Sequence, residues 1–211
     1  DDGGGTMSGR LRSSIVTAFS SKDTRAEALR RRVFALDPPS FEPAEATVAM
    51  ESLSRGTGST TTSTTATSAV LGALNEEQRA AVKHIVAARD YALVRGLPGA
   101  GKSATLAAAV RVLVDLGKSV LITSHTHGAV DNILERLPSV GIDDFVRVGG
   151  EGGKASPATA PYMPTGERHA ARTTADFSRL ANSARVVGAT CYAVANNPII
   201  VRREGRGKGT G

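Results

Sequence analysis

The chain has 211 residues and a mass of 21.7 kDa, room for one ordinary domain with a tail or linker. Apolar residues make up 40 %, charged residues 22 %, and mean hydropathy is −0.12, a globular balance in which no run of 18 apolar residues offers a membrane-crossing helix. The single cysteine, Cys191, excludes an internal disulfide framework and four-cysteine zinc or iron–sulfur sites, and the net charge of +6 suits a polyanionic partner.

The first ten residues, DDGGGTMSGR, lack the basic-then-apolar pattern of a secretory signal. A reducing, intracellular setting and a chain that starts in mid-protein are expected. Residues 1–73 read as a linker or weakly structured region. Ala26–Phe34 suits a short helix beside the basic run Arg30, Arg31 and Arg32, ending at Asp37-Pro38-Pro39, because a residue before proline is pushed out of helical geometry. Residues 56–68, GTGSTTTSTTATS, form a low-complexity stretch with nothing large to bury.

From Leu74 a βα rhythm begins. The spacing predicts a helix over Asn75–Ala88 with Val82, Ile85 and Val86 on one face, then a strand at Tyr91–Arg95. A helix over Lys102–Leu116 follows, with Leu106, Val110, Leu113 and Val114 stacked and Gly117 placed to end it. Val120–Ser124 reads as a strand covered on both faces, Ala129–Leu137 as a helix and Phe145–Val148 as a strand. Gly149–Gly166 is a Gly/Pro/Ser-rich loop, Arg168–Ala181 a weaker helix and Val186–Thr190 a fourth strand. Such alternation predicts an α/β fold with a parallel sheet, right-handed crossovers and a ligand at the carboxyl ends of the strands. Charge is uneven: residues 1–150 carry +1, whereas 151–211 hold nine basic and four acidic residues, or +5.

The strongest motif is Gly96-Leu97-Pro98-Gly99-Ala100-Gly101-Lys102-Ser103, a full GxxxxGK[ST] match after an expected strand and opening an expected helix. Each part has a task. The glycines let the backbone curl round a phosphate, and the helix amino terminus supplies N–H groups and partial positive charge. Lys102 adds a full charge for the β- and γ-phosphates, and the Ser103 hydroxyl is the right length to ligate Mg²⁺. Upstream, Asn75 and Gln78 stand at the spacing of a reciprocal capping box.

These residues carry a family resemblance. Leu74-Asn75-Glu76-Glu77-Gln78-Arg79 resembles the Q motif of superfamily 1 helicases, which implies that Gln78 reads the adenine edge of ATP. It also implies an ATP contact set of Gly96, Pro98, Gly99, Ala100, Gly101, Lys102, Ser103 and Ala104, with ATP and Mg²⁺ as cofactors. Val120–Leu134, VLITSHTHGAVDNIL, resembles motif Ia, whose Thr/Ser/His-rich turn holds the backbone of single-stranded nucleic acid. Thr123, Ser124, Thr126 and His127 are its candidates here, and Thr190 resembles a further backbone-contacting threonine.

The wording of DYALVRGLPGAGK, THGAVDNIL, Val186–Tyr192 and Asn196-Asn197-Pro198-Ile199 is similar to one branch, the eukaryotic DNA replication ATP-dependent helicase/nucleases. The resemblance runs over about Leu29–Ile200 and implies a partial RecA-like P-loop motor domain at 74–200. It further implies single-stranded DNA as partner and a nuclear, or also mitochondrial, location. The runner-up is the RNA helicase type of nonsense-mediated decay. A small-molecule kinase and a non-catalytic nucleotide- or nucleic-acid-binding module are the readings outside the helicases. The sequence also departs from the family. Asn197 stands where a histidine is usual, and no Asp-Glu dipeptide occurs anywhere to position Mg²⁺ and the attacking water. Residues 201–211, VRREGRGKGTG, are a basic tail unlike the family. The chain is therefore expected to be a fragment of the motor that binds ATP without unwinding DNA.

Overall fold

Three short strands rich in β-branched residues carry the fold. The structure, a computed structural model, describes residues 16, 19–20, 24–55 and 61–194. The expected tail at 201–211, the segment Asn196–Ile199 and part of the low-complexity stretch lie outside the described residues. β1 (Val120–Ser124), β2 (Val146–Val148) and β3 (Val186–Thr190) form one parallel sheet in the order β1-β3-β2. Register runs from Val120↔Val186 to Ser124↔Thr190 on one side of β3 and from Val146↔Val187 to Val148↔Ala189 on the other.

The central strand β3 is buried at every residue. β1, at an edge, buries only Ile122 and leaves Leu121 43 % exposed, which corrects the expectation of two-sided cover for Val120–Ser124. The expected strand at Tyr91–Arg95 is also absent: residues 91–97 have no strand pairing, and Leu93 is 83 % exposed. An apolar run becomes a strand only where a neighbour accepts its ladder, and no described strand does so here.

The helices are α1 (Thr24–Phe34), α2 (Pro43–Arg55), α3 (Thr61–Gly72), α4 (Glu76–Ala87), α5 (Lys102–Asp115), α6 (His127–Leu134), α7 (Thr174–Ser183) and the short α8 (Cys191–Val194). Local chemistry sets most of their ends. Asn75 and Gln78 form the capping box of α4, and Thr173 and Asp176 that of α7, so α7 starts six residues later than Arg168. The Thr126 hydroxyl caps α6 by accepting from the Ala129 N–H, which starts that helix at His127 and not Ala129. Gly117, at φ +75°, ends α5 as expected.

Helices α2 and α3 occupy a region expected to be weakly structured. Ala46 and Met50 of α2 and Leu71 of α3 are buried, and Met50 and Leu71 join Leu74, Val82, Ala108, Ala109 and Val112 in one core cluster with α4 and α5. Thr67 of α3 is fully buried; its hydroxyl bonds the Asp115 carboxylate and accepts from Arg111 Nε at 3.2 Å. A Ser/Thr-rich segment with little helix preference is thus held helical by tertiary partners. The burial of α5 also differs from the expected stripe: Leu106 is 39 % exposed, while Ala107, Ala108, Ala109, Val110 and Val112 pack inward.

The sheet divides the remaining core. On one face Ile122 and Val186 meet Val110 of α5, Val130 and Leu134 of α6, and Phe145 stacked on Tyr162. On the other, Val146, Val148, Val187 and Ala189 meet Ala181 and Ala184 at the end of α7. Gly188 permits the first packing: a Cβ there would fall 2.6 Å from Leu134 Cδ1. Ahead of the Gly96–Ser103 loop, Phe41 bridges Ala88 in antiparallel fashion and stacks on His84 at 4.3 Å. The Ser40 hydroxyl and N–H both donate to Asp90, pulling its carboxyl below the ordinary range, with Arg32 adding its charge.

Candidate nucleotide and nucleic-acid sites

Gly96–Ser103 folds as a tight loop into α5. Gly99 and Gly101 sit at φ +80° and +75°, a region in which a side chain is strained, and Gly101 is the residue preceding the first turn of α5. No side chain caps that helix, so its first N–H groups stand free for an anion. A Cβ at Gly96 would fall 2.9 Å from Lys102 Cγ, and one at Gly101 2.5 Å from Gln78 Nε2. Both glycines therefore leave room for functional side chains. Lys102 is exposed, and its Nζ donates to the carbonyls of Gly96 at 2.9 Å and Leu97 at 2.8 Å. Pro98 and Ala100 lie exposed on the loop, while Ser103 and Ala104 stand half-buried in the first turn of α5.

Gln78 is brought to the loop by α4. Its Oε1 accepts from the Asn75 N–H at 3.1 Å, and its Nε2 donates to the Ala100 carbonyl at 3.2 Å. The capping role and a place beside the phosphate loop are thus combined in one side chain. Gln78, Gly96, Ala100 and Lys102 line a cavity of about 340 Å³. Its other walls include Ile85, Val94, Leu97, Thr105 and Leu106, an apolar surface suited to a flat base. Leu106, which helical periodicity assigned to the core, belongs to this wall.

The second group stands at the carboxyl ends of β1 and β3. Register sets Ser124 beside Thr190, and Thr126 and His127 open α6 immediately after β1. Thr123 is exposed and its hydroxyl donates to Cys191 Sγ at 3.3 Å; Ser124 is half-buried. Thr190 is only 5 % exposed and its hydroxyl accepts from the Ala193 N–H at 3.3 Å, as Thr126 does from Ala129. Both threonines therefore also do local capping work. His127 is half-buried, with Nδ1 3.0 Å from Arg147 Nη2.

Arg147, Asp131, Ser156 and Thr159 were not legible as site residues, yet they form the support of this turn. Arg147 Nε meets Asp131 Oδ1 at 2.6 Å, and Asp131 also accepts from Thr159 Oγ1 at 2.9 Å and the Ser156 N–H at 3.2 Å. The available signal was an arginine between two valines in a strand whose neighbours are apolar, a charge that cannot be buried without a partner.

Residues 73–172 match the model of a family described as an AAA domain. The chain is 37 % identical over 141 residues to the DNA replication ATP-dependent helicase/nuclease DNA2 of Gallus gallus, covering 66 % of this chain and 14 % of that protein. To the protein of the same name in Homo sapiens it is 38 % identical over 136 residues, 64 % of this chain and 12 % of the relative. To that of Saccharomyces cerevisiae it is 39 % identical over 121 residues, 57 % and 8 % respectively. The chain spans about a seventh or less of the length of these relatives. The Gly96–Ser103 loop, Gln78 and the Thr123–His127 turn all fall inside the stretch that matches the AAA-domain model and is similar to part of the DNA replication ATP-dependent helicase/nucleases.

Proposed function

We propose that this chain is the nucleotide-binding part of an ATP-driven DNA helicase, holding Mg·ATP at Gly96–Ala104 and single-stranded DNA at Thr123, Ser124, Thr126, His127 and Thr190. The observation that carries this reading is the cavity shared by Gln78 and the phosphate loop. One end offers an amide for a base edge, and the other a lysine and free N–H groups for phosphates.

The residues present fit the nucleotide. Lys102 rests on two loop carbonyls, neutral acceptors that a triphosphate oxygen outcompetes because it carries a full charge. Gln78 has a second amide hydrogen and a second carbonyl lone pair left for a base. Ser103 offers one hydroxyl oxygen to Mg²⁺. Among the described residues no three His, Cys, Asp or Glu side chains cluster to hold a metal, so the ion would arrive with the phosphates. When bound, Mg²⁺ neutralises charge on the β- and γ-phosphates. The turn residues hold a strand through its phosphates and carry no base code.

With no Asp-Glu pair in the sequence to orient water, the isolated chain binds ATP without turning it over; the longer relatives are named as ATP-dependent helicase/nucleases. Nuclear replication and repair is the setting this reading assigns. Calorimetry tests it: Mg·ATP should give saturable heat that Lys102→Ala removes. No heat at millimolar nucleotide in the folded chain refutes the site, and DNA-stimulated phosphate release lost in Lys102→Ala refutes the inactivity.

A further inference from the structure

Arg147 is fully buried in the middle of β2, beside Gly188 and on the sheet face that α6 covers. A guanidinium in such a place needs acceptors for its fork of N–H groups. Nε donates to Asp131 Oδ1 at 2.6 Å, Nη1 to the Val148 carbonyl at 2.7 Å, and Nη2 lies 3.0 Å from His127 Nδ1. Asp131 and His127 are four residues apart, so one arginine grips both from the same side of α6. Asp131 is closed off by Thr159 and Ser156, leaving His127 as the partner that reaches solvent.

The chemistry of that contact sets a proton. Arginine has no acceptor, so Nδ1 must accept and the neutral imidazole carries its hydrogen on Nε2. Nε2 meets no protein acceptor among the described residues. The neighbouring hydroxyls are partly committed: Thr126 to the Ala129 N–H, Thr123 to Cys191 Sγ.

We propose that Arg147 is a positioning residue for the nucleic-acid backbone: by holding Nδ1 it keeps His127 as the Nε2–H tautomer and presents that N–H to a phosphate oxygen at the carboxyl end of β1. The inference rests on the reading of Thr123–His127 as the single-strand contact. A phosphate bonded by a ring N–H is recognised without regard to sequence, and the donor is ready before the strand arrives.

The test uses the full chain, ¹⁵N-resolved imidazole spectra and anisotropy of a labelled oligothymidine. The wild type should show Nε2–H at His127; an Nδ1–H tautomer overturns the proposal. Arg147→Lys keeps a charge for Asp131 but cannot span both partners, so oligothymidine should bind about tenfold more weakly, as with His127→Ala. In the double variant the affinity should equal that of His127→Ala alone. An unchanged Arg147→Lys affinity, or a further full loss in the double variant, overturns the proposal, the latter by making Arg147 merely structural. If Arg147→Lys does not fold, His127→Asn decides: its carbonyl can replace Nδ1 as acceptor while its amide falls short of Nε2. It should fold as the wild type and bind as weakly as His127→Ala; wild-type affinity overturns the proposal. If Ser124→Ala and Thr123→Val weaken binding while the histidine and arginine variants do not, the turn stands and only the proposal falls. If none of these variants has an effect, the reading of the turn falls with it.

Discussion

An alanine at position 188 asks how closely α6 lies on the sheet. The added Cβ would stand 2.6, 2.9 and 3.0 Å from Cδ1, Cδ2 and Cγ of Leu134. Carbon atoms rest about 3.5–4.0 Å apart, so the overlap is about 1 Å. Leu134 is fully buried in a cluster with Val130, Leu137 and Phe145 and has no free space to swing into. Either α6 lifts or the side chain leaves its rotamer, and overpacking of this kind costs about 1–3 kcal/mol. For a chain of this size Tm should fall by roughly 3–10 °C. Leu134→Ala deletes the three offending atoms and alone should cost about 2–5 kcal/mol through the cavity it leaves. In the double variant the alanine Cβ enters that cavity, so the combined loss should be at least about 1 kcal/mol smaller than the sum. Urea unfolding followed by circular dichroism measures all three. Strict additivity, or a Gly188→Ala chain as stable as the wild type, would refute the close approach.

Three further outcomes follow from other contacts. Gln78→Ala should reduce the preference for ATP over GTP in competition binding if its amide meets the base as proposed; an unchanged ratio removes Gln78 from the proposed base site. Thr67→Val should destabilise the fold by about 1.5–3 kcal/mol, since a buried hydroxyl between Asp115 and Arg111 is lost from an otherwise unremarkable Ser/Thr run; a neutral result in thermal melts shows that α3 is not anchored there. Asp90 is held below its ordinary value of 3.8 by Ser40 and then Arg32, so its contribution is complete above that value and lost as pH falls through the lowered one. Asp90→Asn should therefore lower Tm at pH 7 by an amount that shrinks as the pH is taken progressively below 3.8, a convergence that paired acid melts would reveal or deny.

Local chemistry made much of the site readable. The glycine spacing, Lys102 and Ser103 mark Gly96–Ser103 as a candidate phosphate loop from the sequence alone, because the φ freedom and the charge belong to those residues themselves. The Asn75–Gln78 box is equally local, and the structure forms both of its hydrogen bonds. β1 and β3 appear at the limits their apolar runs predict. Tyr91–Arg95 has the same apolar character and is not a strand, which shows where local reading stops. Pairing is a property of two segments, and only one of them is visible in a run of residues.

Gly96–Ser103, the Asn75–Gln78 capping box and the Val/Ile-rich runs of β1 and β3 were determined by the sequence alone, since each depends on backbone freedom, hydrogen-bond reach or side-chain shape within a few residues. Tertiary structure decided what Arg147 grips, why Gly188 has no side chain, how Thr67 turns a low-complexity stretch into a docked helix, and that Leu106 faces a cavity. Each of these joins groups separated by many residues, and their energies come from burial and charge pairing that exist only once distant segments have met.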